Sequence, residues 1–116
     1  MRIFDWATIP SHPVRPGVSR KVFTGEGAMM LVTEFGAGST ESPHTHPFEQ
    51  LVFVLEGEVE FTLGEEKRAV PAGGVFRIPP GTPHGASALG GKRCRVLAVY
   101  GPPRPDVLPY CGYQKE

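Results

Sequence analysis

The sequence predicts an all-β domain whose short strands close into a barrel or pack as two sheets. Its 15 glycines and 13 prolines, among 116 residues, fall between short apolar runs and form no low-complexity block. Several runs alternate apolar and polar residues with a period of two, whereas no segment has a convincing helical period. Short strands separated by turns every few residues are typical of a closed barrel or a double-sheet fold.

The strands can be placed in order from these runs and from the turn residues between them. A hairpin is expected around Gly25 and Gly27. The apolar run at 51–55 indicates a buried strand, and the alternation after it, with Val59 and Phe61 on one face, indicates a half-solvated strand. The predicted strands cover residues 21–24, 28–35, 49–55, 58–63, 67–70, 75–78 and 93–100.

A chain of 116 residues is long enough to form one domain that buries about 60 to 70% of its unfolded surface. We predict an N-terminal arm at residues 1–20, a barrel at 21–108 and a C-terminal tail at 109–116. Prolines are expected to keep the tail and the segment before it extended. They are Pro102, Pro103, Pro105 and Pro109.

Composition narrows the class of protein. Twelve basic and 12 acidic residues give zero net charge, which argues against nucleic acid or an anionic membrane as a partner. No apolar stretch approaches the roughly 20 residues of a membrane span, and the first residues lack the apolar core of a signal peptide. Cys94 and Cys111 form no CxxC pair and are expected to be reduced. We therefore expect a cytoplasmic protein.

Three histidines and one glutamine have the spacing of metal ligands. His44, His46 and Gln50 all have even numbers, so a regular strand would place them on one face, about 7 Å apart for adjacent members. His84 follows a turn of three prolines and a glycine, which restricts its backbone. The alternative for the first pair is an exposed polar turn, but the pair leads directly into the buried run. The pattern predicts a site for one divalent transition metal.

Two stretches resemble the motifs of the cupin family. They are Gly38-x5-His44-x-His46-x3-Gln50-x6-Gly57 and Gly73-x5-Pro79-x-Gly81-x2-His84. The resemblance implies a single-domain cupin fold, that is, a double-stranded β-helix or jelly-roll barrel. The sequence departs from the family pattern in having Gln50 where glutamate is usual and Ala88 where asparagine is frequent.

The glutamine has a physical consequence. Three neutral imidazoles and an amide leave the charge of a divalent cation uncompensated, so the metal should be a stronger Lewis acid and favour an anionic ligand. Zinc, nickel, iron and manganese all suit these ligands, and the choice stays open. Glu49 is an alternative ligand, although its odd number places it on the other face unless a bulge intervenes.

Longer runs resemble the small cupins of the pectin-degradation type, whose members open the ring of 4,5-unsaturated uronates. The matching runs are residues 20–23, 44–50, 58–61, 79–85 and 103–108. The resemblance places an acid on the last strand, then an aromatic residue and an arginine. Tyr100 and Arg104 occupy the second and third of these positions, but the acid position holds Ala98. The resemblance thus implies catalytic roles for Tyr100 and Arg104, but this sequence lacks the carboxylate that the resemblance places at position 98.

Three functions remain open. The first is a metal-dependent lyase or isomerase acting on a small acidic sugar or related enol, in which the Tyr100 hydroxyl donates a proton and Arg104 pairs with the substrate carboxylate. The second is a non-haem iron dioxygenase. The third is a non-catalytic module that binds or senses a small anionic molecule. Ala98 favours the third function over the first. Arg77 is a further candidate for the cavity, or a solvated strand residue.

The apolar run at 51–55 also bears on assembly. It presents hydrophobic side chains on both faces, more than a barrel with one solvated face requires. We expect one face to form a homodimer interface, and the N-terminal arm is a candidate to cross to the partner subunit.

Overall fold

In the computed structural model, which describes residues 1–115, ten strands form two antiparallel sheets. The strands are β1 (His12–Arg15), β2 (Val18–Thr24), β3 (Met29–Phe35), β4 (Thr40–His44), β5 (Glu49–Glu56), β6 (Glu58–Leu63), β7 (Glu66–Pro71), β8 (Val75–Ile78), β9 (His84–Ala88) and β10 (Cys94–Gly101). The six-stranded sheet has the order β1-β2-β3-β10-β5-β8, and the four-stranded sheet has the order β4-β9-β6-β7. The prediction of an all-β double-sheet fold is confirmed.

The period-two alternation of the sequence determines which side chains fill the space between the sheets. On β10 the residues Cys94, Val96, Ala98 and Tyr100 are buried and alternate with more exposed ones. Buried side chains of both sheets meet in one cluster, where Val52 and Val54 of the larger sheet join Val59 and Phe61 of the smaller. Burying such side chains stabilises the fold by about 1.5–3 kcal/mol each. A second cluster, at the other end of β10, includes Tyr100 and Ala98.

The predicted buried strand is buried on one face only. On β5 the side chains of Gln50, Val52 and Val54 face the core, whereas Leu51, Phe53 and Leu55 are exposed. Val75 on the neighbouring β8 and Met30 on β3 are also exposed. We call these five side chains the outer apolar face. It is the surface to which the expected homodimer interface would correspond.

The sheet begins within the segment that we predicted to be an arm. β1 and the first residues of β2 pair as a hairpin, with His12 opposite Arg20, so these residues are part of the larger sheet. The sequence pattern did not predict this strand, because Pro13 and Pro16 interrupt the alternation on which strand prediction depends.

The expectation of an extended tail is wrong. Leu108–Lys115 forms a 3₁₀ helix, and Pro109 lies in its first turn, where the missing N–H is not needed. The helix packs against β2: the Tyr113 hydroxyl donates to the Val22 carbonyl, and the Gln114 amide exchanges two 2.9 Å hydrogen bonds with the Thr24 backbone. These tertiary contacts hold a helix whose sequence has no helical period. Glu116, the last residue of the predicted tail, lies outside the described residues.

Within residues 1–115, no helix has both the length and the apolar character needed to span a membrane. Both cysteines are free thiols in buried positions.

Candidate metal centre

The three predicted histidines come together at one end of the space between the sheets. His44 is the last residue of β4, His46 lies in the loop that follows, and His84 is the first residue of β9, opposite His44. One ring nitrogen from each lies within 4.8 Å of the corresponding atoms of the other two. The three side chains therefore form a group able to hold a metal ion.

The structure places His44 and His46 differently from the prediction that they share one strand. β4 ends at His44, and the chain crosses to the other sheet before β5 begins at Glu49. Pro47 lacks the N–H that a continued strand would need for its ladder. The two imidazoles converge because the loop turns back, with ring centroids 5.9 Å apart.

All three imidazoles are oriented by backbone carbonyls. In each ring Nδ1 lies at hydrogen-bond distance from a carbonyl oxygen two residues away. The accepting carbonyls for His44, His46 and His84 are those of Ser42, Phe48 and Thr82, at 3.2, 3.1 and 2.8 Å. Nδ1–H donation of this kind fixes the tautomer and leaves the Nε2 lone pair for a ligand, as is usual for histidines that bind metals.

The remaining Nε2 atoms show that the donor set fits a cation. His84 Nε2 is buried and has no hydrogen-bond partner in the described part of the chain. Burial also lowers the pKa of His84, which favours the neutral ring that binds metal. The Oε1 atom of Gln50 lies 3.0 Å from His46 Nε2. Both atoms are acceptors in this tautomer, so a cation that both coordinate would satisfy the pair.

Gln50 reaches the histidines from the opposite sheet. It lies on the inner face of β5 and is 8% exposed, whereas Glu49 faces outward and pairs with Arg77 at 2.7 Å. Gln50, Val52 and Val54 of β5 point inward as the pattern predicts. Arg77 is a solvated strand residue on the outer surface, which is one of the two positions that the sequence left open.

Glycines let the elements that carry the histidines approach each other. The Gly81 N–H donates to the His46 carbonyl at 2.9 Å, and Gly81 has a φ of +75°, which L-residues rarely adopt. At Gly85 a Cβ atom would lie 2.9 Å from the backbone oxygen of Glu41 on β4. Close packing of β4 on β9 beside His84 thus depends on the absence of a side chain at Gly85.

Tyr100 and Arg104 form a buried pair beside the histidines. Tyr100 is 4% exposed, lies edge-on to the His46 ring at 5.5 Å, and its oxygen accepts a 3.1 Å hydrogen bond from Arg104 Nη1. Asp106 receives two hydrogen bonds from the same guanidinium, at 3.1 and 2.6 Å. Burial raises the pKa of Tyr100, so the phenol stays protonated near neutral pH. Ala98, two residues earlier, also faces the interior.

One carboxylate of the site was missed by the sequence analysis. Glu41, on β4, accepts a hydrogen bond from Arg20 Nη2 at 3.2 Å, and its other oxygen lies 3.9 Å from His44 Nδ1. Its odd number would put it on the face opposite His44 in a regular strand, but the pairing of β4 with β9 is irregular between these two residues. Pro43 is the sequence signal for that irregularity, since proline in a strand marks an edge or a bulge.

These residues surround two adjacent spaces, which share part of their lining. A narrow cavity of about 30 Å³ lies between the sheets and is lined by Gln50, His84, Ala98 and Tyr100, among others. It has room for about one water molecule. A wider depression of about 450 Å³, which we call the mouth, lies outside it, and its size is within the range of small-molecule sites. The residues that line both spaces are Arg20, Glu41, His44 and Arg104.

Comparison with known proteins identifies the family. The Cupin domain model matches residues 31–100. A pectin degradation protein, KdgF, from Dickeya dadantii is 27% identical over 101 residues, covering 85% of this chain and 91% of that protein. The structure of KdgF from Halomonas sp. superposes with a TM-score of 0.85 at 30% identity, over 92% of this chain and 98% of the other. An RmlC-like cupin from Shewanella frigidimarina, 21% identical, has the same fold, with a TM-score of 0.84 over 91% and 95% of the two chains. With a family match over more than half of its length, this chain is a member of the cupin domain family.

Proposed function

We propose that the protein is a metal-dependent isomerase or lyase that opens the ring of a small anionic sugar derivative, a 4,5-unsaturated uronate. The observation that carries the proposal is the group of three histidines beside a mouth lined by arginines. The similarity to KdgF proteins supports the choice of substrate class, because the resemblance of the sequence to pectin-degradation cupins implies this reaction.

His44, His46, His84 and Gln50 would hold one divalent ion. Such an ion supplies Lewis-acid polarisation of a substrate oxygen. Imidazole and amide ligands suit zinc, nickel, iron and manganese, so metal analysis of the purified protein decides among them.

The mouth fits an anion. Three arginines line it, Arg15, Arg20 and Arg104, against the carboxylate of Glu41. Arg104 gives three of its five N–H donors to Asp106 and Tyr100, which leaves one donor on each terminal nitrogen for a substrate carboxylate. Because the inner cavity has room for about one water molecule, the sugar would lie in the mouth, with its reacting end toward His44.

The reaction needs two proton movements. The anomeric hydroxyl loses its proton, the bond from the anomeric carbon to the ring oxygen breaks, and the electron pair remains on that oxygen as an enolate. The alkene carbon C4 then gains a proton, which leaves an aldehyde at one end and a ketone where the ring oxygen had been attached. In this proposal the neutral Tyr100 hydroxyl, which is held by Arg104 and lines the inner cavity, donates a hydrogen bond to the developing oxyanion where that oxygen enters the cavity.

The test is an assay of ring opening by the purified protein. Metal per chain is measured by mass spectrometry, and the loss of absorbance of the conjugated double bond is followed with a uronate freshly released from pectin by a lyase. We expect turnover by the metal-loaded protein, none after chelation, and none for His84→Ala, whereas Glu49→Gln, a change on the outer surface, should behave as wild type. No loss of absorbance with any of the four metals would refute the proposal.

A second candidate function is a binding module, and Ala98 is the observation that favours it. Without an acid on β10, the site retains the means to bind an anion and lacks the carboxylate that the resemblance places there. Calorimetry with the saturated sugar galacturonate separates the two functions, since saturable binding without any turnover of the unsaturated uronate would favour the module.

A further inference from the structure

The cavity contains a carboxylate on a different strand from the one that the resemblance indicates. Among the residues that the structure describes, Glu41 is the one carboxylate that lines either the inner cavity or the mouth. We propose that Glu41 is the catalytic carboxylate of this protein and takes the role of the acid missing at Ala98. The inference rests on the proposed ring opening and names the group that transfers its protons.

The side chain is held so that one oxygen is available. Oε2 accepts the hydrogen bond from Arg20, whereas Oε1, at 3.9 Å from His44 Nδ1, is beyond hydrogen-bond distance. Glu41 lies opposite Ala86, whose side chain is buried and lines the cavity, so the carboxylate faces the interior. The Glu41 and Arg20 side chains are 20% and 16% exposed, which limits their mobility.

The position of Glu41 suits the substrate better than that of Ala98 would. Ala98 lines only the inner cavity, which has room for about one water molecule and therefore for one substrate oxygen but not for the sugar ring. Glu41 lines both that cavity and the mouth, together with His44 and Arg104. A sugar bound in the mouth would therefore meet the carboxylate of Glu41 before any side chain at position 98.

The proton balance closes on Glu41 alone. Its free oxygen takes the proton of the anomeric hydroxyl as the bond to the ring oxygen breaks. The carboxylic acid so formed returns that proton to C4 of the enolate, and the carboxylate is regenerated. The net reaction is an isomerisation, with no other reactant consumed. Arg20 is a positioning residue in this scheme, because it acts by holding Glu41.

The decisive variant is Glu41→Gln, which preserves shape and the acceptor for Arg20 but cannot take a proton. We expect its kcat for ring opening to fall about 100- to 10,000-fold. Metal content and the thermal unfolding midpoint should match those of wild type, and galacturonate affinity should be equal or higher, because the variant lacks a negative charge beside the bound anion. Glu49→Gln is the matched control, a carboxylate on the outer surface, and it should leave all four quantities unchanged.

The outcomes separate this inference from the proposed function. Wild-type protein that opens no uronate ring would refute the proposed function itself. If the wild type is active and the kcat of Glu41→Gln lies within about threefold of the wild-type kcat, the role of Glu41 is refuted while the proposed function stands. A loss of activity that follows a loss of metal would also refute that role.

If Glu41→Gln does not fold, Glu41→Asp gives the second test. The shorter side chain keeps the carboxylate but withdraws it by more than about 1 Å, so kcat should fall about 10- to 100-fold. An aspartate variant as active as wild type would then overturn the inference.

Discussion

Replacing Gly85 with alanine tests whether the close approach of β4 to β9 builds the site. The added Cβ would lie 2.9 Å from the backbone oxygen of Glu41 and 3.1 Å from Thr62 Oγ1, whereas ordinary van der Waals contact begins at 3.4 Å. The Thr62 side chain can rotate, but the Glu41 oxygen belongs to the backbone of β4. The two strands must therefore separate by about half an ångström, and strain of this kind costs about 1–3 kcal/mol of unfolding free energy.

The same displacement should weaken metal binding, because β4 carries His44 and ligand distances tolerate only about 0.2 Å of error. We expect a loss of metal affinity of about 10- to 100-fold, roughly the effect of disturbing a residue that orients a ligand. Urea unfolding of the metal-free protein and competition with a chromophoric chelator measure the two effects. Gly112→Ala, where a Cβ meets nothing within 4 Å, is the control and should change neither. If Gly85→Ala matched that control in both measurements, the steric argument would be wrong.

Three further predictions concern other parts of the chain. Tyr100→Phe should retain metal and lower kcat for ring opening by about 100-fold in the same absorbance assay, because it loses the hydroxyl that would donate to the developing oxyanion. Burial raises the pKa of Tyr113 to about 12, so its contribution to the free energy of unfolding should be fully present below the ordinary pKa of 10.0 and be lost as the pH rises toward 12. Ultraviolet titration should detect the ionisation of this phenol, and Tyr113→Phe should remove both that signal and the loss of stability. The outer apolar face is proposed to pair with that of a second copy, since ion pairs such as Glu49–Arg77 give its rim both signs of charge. Light scattering should show a wild-type dimer and a Phe53→Glu monomer, and a monomeric wild type would exclude this interface.

The sequence best predicts which side chains point inward where one face of a strand packs in the core. The alternation on β5 and β10 is enough to assign Gln50, Ala98 and Tyr100 to the inner face, because a shift of one residue would expose the whole apolar set. The spacing of the histidines also brings the right three side chains together, although they do not share a strand. Spacing thus identifies the three histidines and parity identifies Gln50, whereas the loop geometry that brings His46 to the cluster comes from tertiary contacts.

Glu41 was not predicted because, like the histidine loop, its final position is determined by tertiary contacts and not by the local sequence pattern. β4 lies at the edge of the four-stranded sheet, and its inner face carries polar groups of the site, so its sequence has no apolar alternation. The irregularity between Glu41 and His44 then reverses the parity on which the search for ligands and acids depended. Sites at strand ends are the places where local pattern and final position differ most, since function rather than burial selects their residues.

The charge of the mouth depends on Gln50 as well as on the arginines. A neutral amide leaves both charges of a divalent ion uncompensated, whereas a glutamate would cancel one. Arg20 and Arg104 are paired with Glu41 and Asp106, so Arg15 and the ion would give the site its excess positive charge. That excess positive charge explains why the site would bind an anion, but a binding module would need no further feature. What argues for turnover is the inward carboxylate of Glu41, because it brings a negatively charged proton acceptor to an anion site, which binding alone would not favour.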